Sequence, residues 1–159
     1  MHNSTATEFV HVVQGTMSLA FKDGHEEKFV AGDNFLIPRG NEAAWKATDR
    51  YEEYWVEFDP KRSDPASAET DPPVIRFDRN GTAGKGLAGT GRTKEYQYYS
   101  SPEKSSADVW DTKAFTAPDF HTPDYCELMV FLDGSVTLST PTVRPRRSRQ
   151  DVALVPKAR

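Results

Sequence analysis

His2-Asn-Ser-Thr-Ala-Thr-Glu8-Phe-Val-His-Val-Val-Gln-Gly15 is read again, 119 residues later, as His121-Thr-Pro-Asp-Tyr-Cys-Glu127-Leu-Met-Val-Phe-Leu-Asp-Gly134. Each copy is a histidine, five residues, a glutamate, six residues and a glycine. Further on, Gly32-Asp-Asn-Phe-Leu-Ile-Pro-Arg-Gly40 is echoed by Gln150-Asp-Val-Ala-Leu-Val-Pro-Lys-Ala158 at an offset of 118, one deletion away from the first. Two spaced motifs repeated in the same order imply a duplicated unit.

Outward from the first copy, the chain reads as short strands. Residues 8–13 are β-branched and aromatic, Gly15 closes them, and residues 16–21 alternate with period two. Asp23-Gly24 is a hairpin signal, residues 26–30 return as a strand, and Ala31-Gly-Asp33 makes the next turn. Residues 34–37, a Pro38-Arg-Gly40 turn, residues 43–48 and the aromatic-rich 51–58 follow. No segment shows a 3.6-residue period, so the expectation is an all-β antiparallel sandwich or barrel.

Residues 1–59 therefore form a first half. Residues 60–73, rich in Pro, Asp, Ser and Ala, read as a linker, and 74–159 form a second half. Within it, residues 74–77 make a short strand and 79–93 a glycine-rich loop. Strands are expected over 95–99, 109–115, 125–132, 135–139 and 152–155, with a loop over 140–149.

Composition narrows the class. Hydrophobic residues make up 36% and aromatics 11%, enough for a packed core, and the net charge is −4. That charge gives no general attraction to nucleic acid or anionic membrane, and no apolar run approaches a spanning helix. The N-terminal stretch carries no signal-peptide hydrophobic segment, so a cytoplasmic protein is expected. Cys126 is the single cysteine. Its place in an apolar run reads as a buried small hydrophobe.

These residues carry a family resemblance. Glu-x6-Gly, then Gly-x5-Pro-x-Gly, resembles the two motifs of the cupin superfamily, a small jelly-roll β-barrel. Glu8 to Gly15, Gly32-Asp33, Pro38-Arg-Gly40 and Trp45 resemble in particular the branch of ureidoglycine aminohydrolases and ethanolamine-utilisation cupins. Val109-Trp110, Tyr125-Cys-Glu127 and Gly134 resemble the same branch. The resemblance implies a bicupin with both copies incomplete; as open sheet edges invite pairing, either the two halves complete each other or a second chain does so, a homodimer, strand-exchanged in one version, being favoured.

It also implies a metal set of two histidines, a glutamate and a third histidine after the Pro-x-Gly turn, suited to Mn, Fe, Zn or Ni. In the first copy His2 and Glu8 fit, while Ser4 and Ala43 occupy the other two positions. In the second, His121 and Glu127 fit, Pro123 replaces one ligand, and the sequence reaches Arg159 before the last. Catalytic metal sites usually have at least three protein ligands. The expectation is no metal, with His2, Glu8, His121 and Glu127 as the weak candidates.

Parity makes the glutamates informative without a metal. Glu8 shares the face of Val10 and Val12, and Glu127 that of Met129 and Phe131, so both carboxylates point with core residues. Such a group must be hydrogen-bonded or paired. It serves as a general base, as an anchor for a polar ligand, or as a structural carboxylate. His11 and Cys126 have the opposite parity.

Ligand-binding candidates are Glu8, Trp45, Tyr54, Tyr125 and Glu127. The basic run Arg144, Arg146, Arg147 and Arg149 lacks interleaved aromatics and reads as a solvated loop. Gly81-Thr-Ala-Gly-Lys-Gly lacks phosphate-loop spacing. The expected function is a cupin that binds a small polar molecule at a degenerate metal site. The alternatives are a metal-dependent enzyme of small nitrogenous or carboxylate metabolites, and a structural or assembly subunit. Enzymatic activity itself is left open.

Overall fold

The computed structural model describes residues 2–48, 50–58, 73–77, 93–100, 105–116, 125–140, 143–149 and 152–155. The chain divides into two compact units, Met1–Lys113 and Ala114–Arg159. The described residues are all-β, with no helix.

The first unit holds β1 (His2–Asn3), β2 (Thr7–Gln14), β3 (Thr16–Phe21), β4 (Glu26–Val30), β5 (Asn34–Ile37), β6 (Glu42–Ala47), β7 (Glu52–Phe58), β8 (Ile75–Phe77), β9 (Thr93–Ser100) and β10 (Ser106–Thr112). One four-stranded sheet runs β1-β6-β3-β4 and the other β7-β2-β5-β8, all antiparallel. Their facing sides share one core of Val10, Val12, Met17, Leu19, Phe29, Phe35, Ile37 and Ala43. Phe29 and Phe35 stack at 3.8 Å between centroids. Arg76 of β8 lies 4.1 Å over the Phe29 ring and donates to Asp33 Oδ2 at 2.9 Å, tying β8 to the β4–β5 turn.

The turns follow local chemistry. Asp23 Oδ1 accepts from His25 N at 2.8 Å, and Gly24 takes a φ of 86°. At the next turn Asp33 Oδ2 accepts from Val30 N at 2.9 Å, while Gly32 N donates back to Val12 O at 2.6 Å. That bond fastens the turn to the neighbouring sheet.

β2 is buried on both faces at its centre. Beneath Glu8 and Val10 lies the core; on the other side Phe9 meets Phe77 at 5.7 Å, and Phe77 stacks on Tyr98 of β9 at 4.6 Å. The β9–β10 ribbon thus covers part of the outer side of the second sheet. Burial on both faces explains why residues 9–12 are apolar at odd and even positions alike, apart from His11.

Three sequence expectations differ from this structure. Residues 74–159 were assigned to the second half, yet the first unit extends to Lys113 and includes β8, which pairs with β5, as well as β9 and β10. A three-residue strand carries no signature of its partner, because pairing is set across the sheet. Residues 143–149 form β13 (Val143–Arg149) rather than a loop, pairing antiparallel with β12 (Ser135–Thr140). Cys126 is exposed rather than buried, since it precedes β11 (Glu127–Val130) instead of lying within it.

The second unit also contains β14 (Val152–Val155), which pairs with β11; its described strands form two two-stranded ribbons. Residues 59–72 and 78–92, which include most of the expected linker and glycine-rich loop, lie outside the described residues, as do His121 and Pro123.

Candidate functional site

Register decides which side chains meet Glu8. β2 pairs with β7 so that Glu8 lies opposite Glu57, Val10 opposite Trp55 and Val12 opposite Glu53. Residues directly opposite one another share a face. Glu53, Trp55 and Glu57 are therefore on the interior face with Glu8, while Tyr54, opposite His11, is on the other.

Glu8 is 2% exposed, as buried as the valines that follow it on its face. Its Oε1 is hydrogen-bonded to Ser4 Oγ, and its Oε2 accepts from Trp55 Nε1 at 3.3 Å. Ser4 Oγ also lies 2.9 Å from the Ala6 carbonyl, and one hydroxyl proton serves one acceptor at a time. A carboxylate at this depth is tolerated only with such partners. Trp55 is 50% exposed. Its indole spans from solvent to the buried carboxylate.

Ser4 is held by the turn after β5. Its N–H donates to Asn41 O at 3.0 Å, its carbonyl accepts from Gly40 N at 2.8 Å, and Gly40 has a φ of 90° that favours glycine. Pro38-Arg39-Gly40 thus delivers Ser4 to Glu8. β1 then places His2 opposite Ala43 in the register.

The fold therefore pairs the positions for which the sequence suggested metal ligands, His2 with Ala43 and Ser4 with Glu8. The side chains do not fit a metal set: Ser4 brings a hydroxyl already engaged with Glu8, and Ala43 brings a methyl buried in the core. Among the described residues no group of three or more His, Cys, Asp or Glu could hold a metal ion.

The remaining candidates fall in different places. Trp45 of β6, opposite Leu19, is half-buried against the core on the interior side. Tyr54 stacks on His11 at 6.2 Å on the opposite face, where His11 Nδ1 meets Asn34 Oδ1 at 2.8 Å. Glu127 is half-buried on β11, and Tyr125 is exposed just before it; both belong to the second unit.

Glu53 was not singled out in the sequence, where Ser4 stood only for a replaced ligand and Tyr51 and Trp55, with Trp45 and Tyr54, only for aromatics able to line an apolar pocket. Tyr51 packs against the core and donates to Glu53 Oε2 at 2.5 Å. Burial, then that hydrogen bond and the Glu53 charge, push the Tyr51 phenol well above its ordinary value. Alternation along β7 puts Glu53, Trp55 and Glu57 together, but only the pairing with β2 says which set faces inward.

The outer side of the first sheet carries a separate feature. An open depression of about 540 Å³ is lined by Thr16, Ser18, Glu26, Lys28, Lys46, Ala47 and Thr48. It is across the sheet from the core and shares no lining residue with the Glu8 site.

Against this geometry, the family model of the EutQ-like cupin domain matches residues 2–54. The match covers β1 to the first part of β7 and supports membership of the cupin superfamily for this segment. The all-β architecture is consistent with a cupin β-sandwich. Such a domain suggests a small-molecule-binding or metal-binding cupin. No curated protein and no solved structure gives a significant match. No helix among the described residues is long and apolar enough to cross a membrane.

Proposed function

We propose that the first unit is a ligand-binding cupin that takes a small polar molecule beside Glu8 and Trp55, without a transition metal. The observation that carries this reading is the Glu8–Trp55 contact: a fully buried carboxylate joined to a half-exposed indole on the interior face. A carboxylate accepts N–H or O–H donors from a ligand, and an aromatic face packs on its carbon skeleton. Trp45, half-buried on the interior side, supplies a second aromatic surface. Ser4 holds Glu8 in place from behind, so the acceptor is pre-oriented.

A screen of small amines, amides, hydroxy acids and sugars by protein-observed NMR tests it. A binder should shift the Trp55 indole N–H, and its affinity should fall at least about tenfold in Glu8→Gln and in Trp55→Phe. Binding that survives both substitutions overturns the reading. Elemental analysis of the purified protein is the companion measurement. About one equivalent of Mn, Fe, Zn or Ni would replace this reading with a metal-dependent, aminohydrolase-like enzyme.

A further inference from the structure

The outer face of β3, β4 and β6 has a charge pattern that the Glu8 site does not use. Ser18 of β3 lies opposite Lys28 of β4 on one side and opposite Lys46 of β6 on the other. A Lys–Ser–Lys row therefore crosses three adjacent strands. With strands about 4.8 Å apart, the two lysine Cα atoms stand about 10 Å apart, within reach of one small ion held between flexible stems.

Neither ammonium has an ion-pair partner among the described residues. Among the described residues the ion pairs join Lys22 to Glu42, His25 to Glu27, Arg50 to Glu52 and Arg76 to Asp33; Lys28 and Lys46 take part in none. Alternating charges would have paired across this sheet at little cost. Instead two like charges flank a hydroxyl in a chain whose net charge is −4. Two exposed ammonium groups about 10 Å apart repel only weakly, and an anion between them is attracted to both.

The same row lies in the depression described above, so the charges face a concavity large enough for a small molecule. One row beyond, Thr48 Oγ1 accepts from Thr16 N at 3.2 Å and donates to Arg50 O at 3.2 Å, so it is fixed as part of the wall. At the other end Glu26, opposite Ala20, adds a carboxylate that would repel a second anionic group but accept a hydroxyl.

We propose that this face is a second binding site, for the oxyanion head group of a small hydroxylated molecule, held by Lys28, Ser18 and Lys46. The head group is a phosphate or a carboxylate, and the hydroxylated part points towards Glu26. The proposal does not depend on the Glu8 reading.

The test is a titration of the full-length protein, followed by amide NMR, with inorganic phosphate and separately with acetate. Ionic strength is held constant with sodium chloride, so that general screening is the same throughout. Saturable shifts at Ser18, Lys28 and Lys46, in the millimolar range for phosphate, are expected. The Lys28→Gln/Lys46→Gln double variant, altered only at exposed positions, should weaken binding by about tenfold or more. Glu26→Gln should tighten the anion about two- to threefold, and Glu8→Gln should leave it unchanged.

Saturation by phosphate alone assigns the head group as phosphoryl; saturation by both probes extends it to carboxylates. Shifts that never saturate, that spread equally to Lys22 and the other exposed lysines, or that persist undiminished in the double variant overturn the proposal.

Discussion

The glutamate–glycine motif occurs in both units, and the two copies share the conformation of the glycine but not their surroundings. Gly15 and Gly134 take nearly the same left-handed conformation, with φ of 83° and 82°. A Cβ on Gly15 would collide with the Arg50 carbonyl oxygen and sit 2.8 Å from Thr48 Oγ1, whereas one on Gly134 would meet nothing within 4 Å. Glu8 is buried among four-stranded sheets, while Glu127 is half-buried on a two-stranded ribbon. A repeated motif therefore specifies a local turn. What the turn is worth, and whether its glutamate is enclosed, depends on the strands packed around it.

The glycines give the sharpest way to break that comparison. Gly15→Ala should cost about 3 kcal/mol or more, because a backbone collision adds to the unfavourable φ, and Gly134→Ala about 1 kcal/mol from the φ alone. Chemical denaturation of the two variants side by side measures the difference; equal losses would mean that the surroundings of Gly15 contribute nothing. Core truncation comes next. Leu19→Ala, at a fully buried position, should lose about 2–4 kcal/mol, and Met129→Ala, half-buried on β11, about 1 kcal/mol, in the same measurement.

The glutamates follow. Gln at position 8 can present its carbonyl to Trp55 and its amide to Ser4, so Glu8→Gln should cost about 1–2 kcal/mol, while Glu127→Gln should stay within about 0.5 kcal/mol. Thermal unfolding of the two single variants checks this. The smallest effect is a slope with pH. The Tyr51 phenol is raised in the folded state, so it keeps its proton when the unfolded chain has lost it. Its contribution is complete below about pH 10, the unfolded value, and declines as pH rises above it. Tyr51→Phe should flatten the fall in stability between about pH 9 and 11 relative to the parent. An unchanged slope would remove Tyr51 as its source.

Much of the first unit was legible in the sequence because its strands alternate and its turns are local. Asp23-Gly24, Ala31-Gly32-Asp33 and Pro38-Arg39-Gly40 each sit where the chain reverses. Parity along β2 placed Glu8 with Val10 and Val12 on the interior face, and the structure puts it there. What was not legible depends on pairing between distant residues. Tyr54 and Trp55 are equal as aromatic neighbours until β7 is set against β2, and that register shifts between Val12 and Gln14. The strand at 143–149 was masked by its arginines and Pro145, which suit an edge as readily as a loop. The depression on the outer sheet face has no linear signature, since Ser18, Lys28 and Lys46 come from three strands.

The neighbours of β2 also govern the order in which the protein can assemble as it is made. β3 and β4 form a hairpin from consecutive residues, so that part can form while the chain is still being extended. β2 instead lies between β5 and β7. Its buried face, with Glu8 upon it, must wait until residue 58 has left the ribosome, and β8 arrives later still. β5, whose second partner is β8, waits longer than β2, so the two central strands of this sheet stay open while the rest of the unit is made, and a holding chaperone would act there.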